Sequence, residues 1–203
     1  MKIVCIGRNY IEHANELKNP IPQKPIFFLK PDTALLIRNR PFFFPDFSND
    51  IHYELELVFK VSKNGKNISE KFAPDYYNEI GLGIDFTARD LQQECKEKGL
   101  PWEIAKGFDQ SAAISEFIPI ESLSDPGNIS FHLVMNGQTV QHGKSTDMIF
   151  GINIIISYVS SFMTLRAGDL IFTGTPAGVG SVKIGDKLQG YLEGKPMIYC
   201  DIK

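Results

Sequence analysis

Tyr53-Glu54-Leu55-Glu56-Leu57-Val58-Phe59 is an apolar run interrupted twice, two residues apart, by a carboxylate. Side chains of a β-strand alternate faces, so the run predicts one strand with Glu54 and Glu56 on one side and Tyr53, Leu55, Leu57 and Phe59 packed on the other. A second run, Gly81-Leu82-Gly83-Ile84-Asp85-Phe86, holds a lone acid between two large apolar residues, a poor place for a solvated face. Like charges this close repel, and burying each is costly unless a cation or hydrogen-bond donors compensate. Three carboxylates around one divalent cation resolve that cost. An all-oxygen donor set favours Mg²⁺ or Mn²⁺, with Ca²⁺ also compatible, over zinc. The plainer alternative is that Glu-x-Glu marks the wet face of a half-covered sheet.

The rest of the chain limits what such a site serves. With 203 residues, 43% of them hydrophobic, there is material for one core and too little for two, which predicts a single catalytic domain over residues 1–203. The net charge is −3 and no run of Lys or Arg is long enough to track a phosphate backbone, so no nucleic-acid partner is expected. Cys5, Cys95 and Cys200 are odd in number and lack CxxC or Cys/His spacing, which argues against disulfides and structural zinc. Together with an N-terminal apolar stretch too short for a secretory signal, this predicts a cytoplasmic protein. The longest apolar-rich stretch, residues 148–165, contains Asn153, Ser157, Ser160 and Ser161 and falls short of the ~20 residues a membrane span needs. It reads as a buried helix, and no membrane partner is expected.

Outward from the acids, residues 3–6 read as a short buried strand ended by Gly7. In the segment that follows, His13 and Glu16 stand three apart, so one helical turn places them on one face. The prolines at 20, 22 and 25 disfavour helix for the residues before them, and a short helix held between such breakers suits a lid. Strand resumes over residues 25–30, and Phe42, Phe43, Phe44 and Phe47 supply aromatic bulk before the glutamates. After Asp85, Thr87-Ala88-Arg89-Asp90 has the spacing of a capping box, and residues 91–98 run as a helix stopped by Gly99 and Pro101. Asn136-Gly137 is a two-residue hairpin signal, and the final third is strand and turn. The Gly-rich stretch 174–180 lacks a P-loop ending. Its glycines make tight turns, or else let backbone N–H groups and the Thr175 hydroxyl approach a substrate carboxylate.

Several segments together resemble one family: Gly7-Arg8-Asn9-Tyr10 with Glu12-His13, Lys30-Pro31, His52-Tyr53-Glu54-Leu55-Glu56-Leu57, Gly83-Ile84-Asp85-Phe86-Thr87-Ala88-Arg89-Asp90-Leu91-Gln92, Lys106-Gly107-Phe108-Asp109 and Gly168-Asp169-Leu170-Ile171-Phe172-Thr173-Gly174-Thr175-Pro176. They are similar to the fumarylacetoacetate hydrolase family, in order and over nearly the whole chain. Cys95-Lys96-Glu97-Lys98-Gly99-Leu100-Pro101-Trp102 resembles the short branch of acylpyruvate hydrolases that also decarboxylate oxaloacetate. The resemblance implies an α+β, β-rich fold: a mixed β-roll or β-sandwich with a few short helices and an N-terminal lid helix, in a homodimer. It also implies Glu54, Glu56 and Asp85 as metal ligands, Lys106 as the active-site lysine, His13 and Glu16 as the dyad that activates water, and Arg8, Arg89, Gln92 and Thr175 around the substrate.

Hydrolysing a 2,4-diketo acid breaks a carbon–carbon bond and leaves a carbanion on the pyruvate half, which a divalent Lewis acid and Lys106 would hold as an enolate. His13, oriented by Glu16, would take a proton from the attacking water. Loss of CO₂ from oxaloacetate leaves the same enolate. Cleavage of acylpyruvates to pyruvate and a carboxylic acid, accompanied by oxaloacetate decarboxylation, is therefore the expected activity on a small 2-oxo acid. The alternatives are an isomerase or tautomerase of a 2-oxo or 2-hydroxy-enoic acid or of oxaloacetate, and a non-catalytic binding module stabilised by Ca²⁺. Acyl preference is expected to rest on the lid and on the aromatic residues of 42–47.

Overall fold

The computed structural model describes residues 1–16 and 20–203, so Leu17 and Asn19, on the far side of the expected lid helix, lie outside it. Its strands in chain order are β1 (Ile3–Gly7), β2 (Ile26–Lys30), β3 (Leu35–Leu36), β4 (Ile51–Tyr53), β5 (Leu55–Val61), β6 (Tyr77–Asp85), β7 (Thr87–Ala88) and β8 (Ala112–Ile114). They continue as β9 (Ile118–Pro119), β10 (Ser130–Met135), β11 (Gln138–Lys144), β12 (Leu170–Phe172), β13 (Gly180–Ser181), β14 (Lys187–Leu192) and β15 (Lys195–Asp201). The α-helices are α1 (Ile11–Glu16), α2 (Arg89–Lys98), α3 (Glu103–Lys106) and α4 (Ile152–Phe162).

The largest sheet runs β2-β1-β12-β5-β6-β8-β3, with β9 also paired to β6. It is mixed: β1 lies parallel to β12 and β3 to β8, and the other pairs are antiparallel. The antiparallel sheet β11-β10-β14-β15 covers one face, and β13-β4-β7 forms a small third sheet. Alternation along β5 sorts the packing. Leu55, Leu57 and Phe59, with Ile80, Leu82 and Ile84 of β6, meet Phe131, Leu133, Leu188, Leu192 and Ile198 of the covering sheet. Val58 turns the other way, into a cluster with Ile3, Cys5, Ala112, Leu170 and Phe172. Val4, Ile6 and Ile171 meet Ile155, Ile156 and Val159 of α4.

This sheet is curled. β2 and β6 are four strand spacings apart, on the order of 19 Å in a flat sheet, yet the ammonium of Lys30 on β2 lies 2.8 Å from Asp85 on β6. The curl leaves little room inside. A Cβ on Gly83 would stand 2.3 Å from the Phe172 ring and 2.7 Å from Val58, so glycine at this point in β6 is a packing requirement.

Several expectations are corrected. The glutamate run is two strands with a break at Glu54, because Glu54 has left the ladder: its carbonyl accepts the Asp85 N–H at 2.8 Å, and the next N–H, of Leu55, goes to the Gln141 side chain at 2.9 Å. Thr87 forms no capping box. Helix α2 starts after Ala88 without a side-chain cap, since the Thr87 hydroxyl is turned inward to Lys106. The expected helix within 148–165 is shorter, Ile152–Phe162, and no helix among the described residues is long and apolar enough to cross a membrane. The hairpin forms as read, with Asn136 and Gly137 both at positive φ.

Candidate active site

Glu56 on β5, Asp85 at the end of β6 and Glu54 in the break beside them bring carboxylate oxygens within 4.8 Å of one another, all buried. Asp85 is held by the β6–β8 pairing and Glu54 by its backbone bond to Asp85, so rigid sheet positions all three. The sequence places these acids together, and the structure does the same.

The acids are not bare. Lys106, at the end of α3, donates to Glu54 at 2.8 Å, to Asp85 at 2.9 Å and to Thr87 Oγ1 at 2.6 Å. Arg89, opening α2, donates one Nη to Glu54 at 2.6 Å and the other to Gln92 at 2.6 Å. Lys30, fully buried below, spends its protons on Ser111 and the Lys106 carbonyl, so its contact with Asp85 Oδ1 is an ion pair without a hydrogen bond. Among the described residues Glu56 receives only the Gly174 N–H, at 2.6 Å.

The electrostatics follow. Burial alone would raise the Glu54 pKa, but Lys106 and Arg89 outweigh it and hold the group ionised, below its ordinary range. Burial lowers the Lys106 pKa, and the charges of Asp85 and Glu54 more than restore it, so the ammonium persists. Glu56 is the exception. Burial, then the neighbouring Asp85 and Glu54, push its pKa well above the ordinary value, and the Gly174 N–H opposes this only in part. Three buried carboxylates within 4.8 Å of one another, of which Glu56 has no cation beside it among the described residues and is disfavoured from ionising, are what a hard divalent cation completes, so the residues present fit one.

Helix α1 brings His13 Nδ1 to 3.3 Å from Glu16. Glu16 in turn accepts the Gly178 N–H at 3.1 Å, which ties the helix to the 174–180 loop. Burial lowers the His13 pKa below 6.5, against the pull of Glu54 and Glu16, so the ring is neutral at pH 7. The loop's N–H groups thus serve the protein's own carboxylates, Glu56 and Glu16. The Thr175 hydroxyl donates to the Leu55 carbonyl and accepts from Gln141, both at 2.8 Å, which fixes the strand break.

A narrow cleft opens over the acids, lined by Arg8, His13, Arg89, Gln92, Lys106 and Thr175 along with the three carboxylates. Glu16 stands behind His13. Phe28, Lys96 and Trp102 also line the cleft and were missed by the residue reading. Lys96 had a signal: on α2 it follows Arg89 by seven residues and Gln92 by four, the spacing of one helical face. Lys30 had none, since its place depends on the curl. The aromatic stretch 42–47 is corrected: Phe42 stacks on Phe86 in the core and Phe43 and Phe47 are exposed, so Phe28 and Trp102 supply the cleft's aromatic wall.

Curled mixed sheet, covering sheet and buried acid triad define one class of enzyme: the chain belongs to the fumarylacetoacetate hydrolase family, whose model, described as fumarylacetoacetate (FAA) hydrolase C-terminal, matches residues 2–202. Among individual proteins it is similar to oxaloacetate tautomerase FAHD1, mitochondrial, of Bos taurus, 46% identical over 192 residues, 95% of this chain and 87% of that protein. Oxaloacetate decarboxylase, mitochondrial, of Dictyostelium discoideum is 46% identical over 189 residues, 93% of this chain and 87% of that protein. The crystal structure of fumarylpyruvate hydrolase from Pseudomonas aeruginosa in complex with Mn²⁺ and pyruvate superposes with a TM-score of 0.94 at 35% identity, over 100% of this chain and 89% of the other. The cytoplasmic expectation is corrected by these two relatives, both of which are named mitochondrial. Unpaired cysteines report reducing surroundings, and reducing surroundings are not unique to the cytosol.

Proposed function

We propose that this chain enolises a small 2-oxo acid on a Mg²⁺ or Mn²⁺ ion held by Glu54, Glu56 and Asp85, interconverting the keto and enol forms of oxaloacetate, with decarboxylation as a second outlet. The observation that carries this is the convergence of three buried acids at the floor of a cleft that His13 and Lys106 also line. The names of the bovine and Dictyostelium relatives support oxaloacetate as substrate.

The ion, when bound, supplies Lewis-acid polarisation of the substrate's 2-oxo and carboxylate oxygens. His13, neutral and oriented by Glu16, takes the proton from the carbon next to the carbonyl and, as imidazolium, delivers it to the 2-oxygen to give the enol; the reverse transfer regenerates the ketone. Lys106 keeps a positive charge beside the oxygen on which negative charge develops. Arg89, itself fixed by Gln92, holds Glu54 in place, and Phe28 and Trp102 shield one wall of the cleft from water.

The second reading is hydrolysis of acylpyruvates. The His13–Glu16 dyad favours it, because the same neutral imidazole serves to activate water, and the Pseudomonas relative is named a fumarylpyruvate hydrolase. One experiment separates the two: oxaloacetate and acetylpyruvate are supplied to the metal-loaded protein, and enol absorbance and pyruvate release are followed together. Metal-dependent decay of the oxaloacetate enol ahead of pyruvate release supports the tautomerase. Rapid pyruvate release from acetylpyruvate without enol turnover of oxaloacetate supports the hydrolase, and metal-independent rates on both substrates refute the shared site.

A further inference from the structure

The cleft holds more positive charge than its acids use. Lys106 and Arg89 are committed to Glu54 and Asp85, but Arg8 and Lys96 also line the cleft, and neither has a carboxylate within ion-pair distance among the described residues. The acids of α2 do not answer Lys96: Glu94 pairs with Lys98 at 2.7 Å, and Glu97 accepts from Gln93 at 2.7 Å. Arg89 adds a buried Nε–H with no acceptor. Arg8 and Lys96, turned into one concavity beside the Arg89 guanidinium without acids of their own among the described residues, repel, and the fold tolerates this arrangement best when an anion enters.

Position gives that anion a shape. Arg89, Gln92 and Lys96 share one face of α2, with Arg89 bound to Glu54 at the triad end. Lys96 stands four residues beyond Gln92, a rise of about 6 Å, away from the triad. An anion that meets both the triad end and Lys96 therefore carries two separated acidic groups, as a diacid does.

We infer that Lys96, with Arg8, forms a carboxylate subsite that takes the far carboxylate of a 2-oxo dicarboxylic acid, making Lys96 a specificity-determining residue for dicarboxylic over monocarboxylic substrates. This deepens the oxaloacetate reading above and rests on it for the reaction. Burial, with Arg89 and Arg8 nearby, lowers the Lys96 pKa, which is consistent with an ammonium short of anionic partners.

Trp102 is the chain's single tryptophan and lines the cleft, so its fluorescence reports occupancy without turnover. In Mg²⁺-loaded protein, malate and 2-hydroxybutyrate share a 2-hydroxy acid head and differ in the far carboxylate. Lys96→Met is expected to weaken malate at least tenfold and 2-hydroxybutyrate less than twofold, while Lys96→Arg keeps malate within about threefold. In turnover, the KM for oxaloacetate rises with the malate Kd, and that for acetylpyruvate does not. Equal weakening of both ligands, unchanged malate affinity in Lys96→Met, or wild-type protein that binds malate no more tightly than 2-hydroxybutyrate overturns the subsite. Wild-type protein that prefers malate through Lys96 yet does not turn over oxaloacetate leaves the subsite standing and refutes the proposed reaction instead.

Discussion

Glu56→Gln is expected to make the metal-free protein more stable and the metal-loaded protein no more stable than that. In the apo fold, burial and the charges of Asp85 and Glu54 raise the Glu56 pKa, so the folded state holds a proton that the unfolded chain releases near 4.5. A raised carboxyl destabilises the fold as pH climbs from that unfolded value toward the folded one, and has no effect below both. At pH 7 the loss is capped by the 2.5 pH units above 4.5, about 3.4 kcal/mol at 1.36 kcal/mol per unit. Coulomb repulsion agrees in size: two carboxylates at the 4.8 Å limit repel by about 3.5 kcal/mol at an effective dielectric of 20. Glutamine keeps an acceptor for the Gly174 N–H and sheds the charge, so a gain of about 1–3 kcal/mol at pH 7, shrinking toward zero at pH 4.5, is expected. For a chain of this size that is roughly 2–12 °C in Tm.

Metal reverses the comparison. An ion at 100 times its Kd stabilises wild-type protein by about 2.7 kcal/mol, and Glu56→Gln loses most of that shift with one of three anionic ligands gone. The assay is thermal unfolding at pH 5 and pH 7 in EDTA and in excess Mg²⁺ or Mn²⁺. A variant less stable than wild type in EDTA at pH 7, or one that keeps the full metal shift, refutes the reasoning.

Other outcomes follow from the same contacts. His13→Ala should cut turnover by about 10²–10⁴ while leaving the metal-induced Tm shift in place; loss of that shift would count against its role as base. Because burial lowers the His13 pKa, its ring resonances in an NMR titration should move below pH 6.5, with the acid limb of kcat/KM following. Lys106→Met removes the ammonium that Glu54 and Asp85 share, leaving Arg89 and Lys30 to compensate them, and should lower apo stability by about 1–3 kcal/mol, with excess Mg²⁺ restoring part of it in the same melts. Gly83→Ala, whose methyl collides with Phe172 and Val58, should cost about 1–3 kcal/mol and weaken metal binding, because β6 carries Asp85 two residues on.

What was legible in the chain followed strict local rules. The alternation along residues 55–59, the Asn136-Gly137 turn and the His13/Glu16 spacing each depend on near neighbours, and each formed. The break at Glu54 was hidden because its cause is Gln141, 87 positions further on in the other sheet, which takes the Leu55 N–H. Thr87 had the spacing of a cap, but an ammonium from α3 offered its hydroxyl a stronger partner. Lys30 ends an ordinary apolar strand and becomes part of the site only when the sheet curls. Lys96 was readable by extending the Arg89–Gln92 face one more turn.

One short loop grips two acids of opposite duty: Gly174 holds Glu56 and Gly178, four positions on, holds Glu16. Shifting this segment therefore disturbs the acid triad and the His13–Glu16 pair at once. A substitution that frees Glu16 from Gly178 is expected to reach Glu56 through the three residues between the two glycines, with neither carboxylate altered.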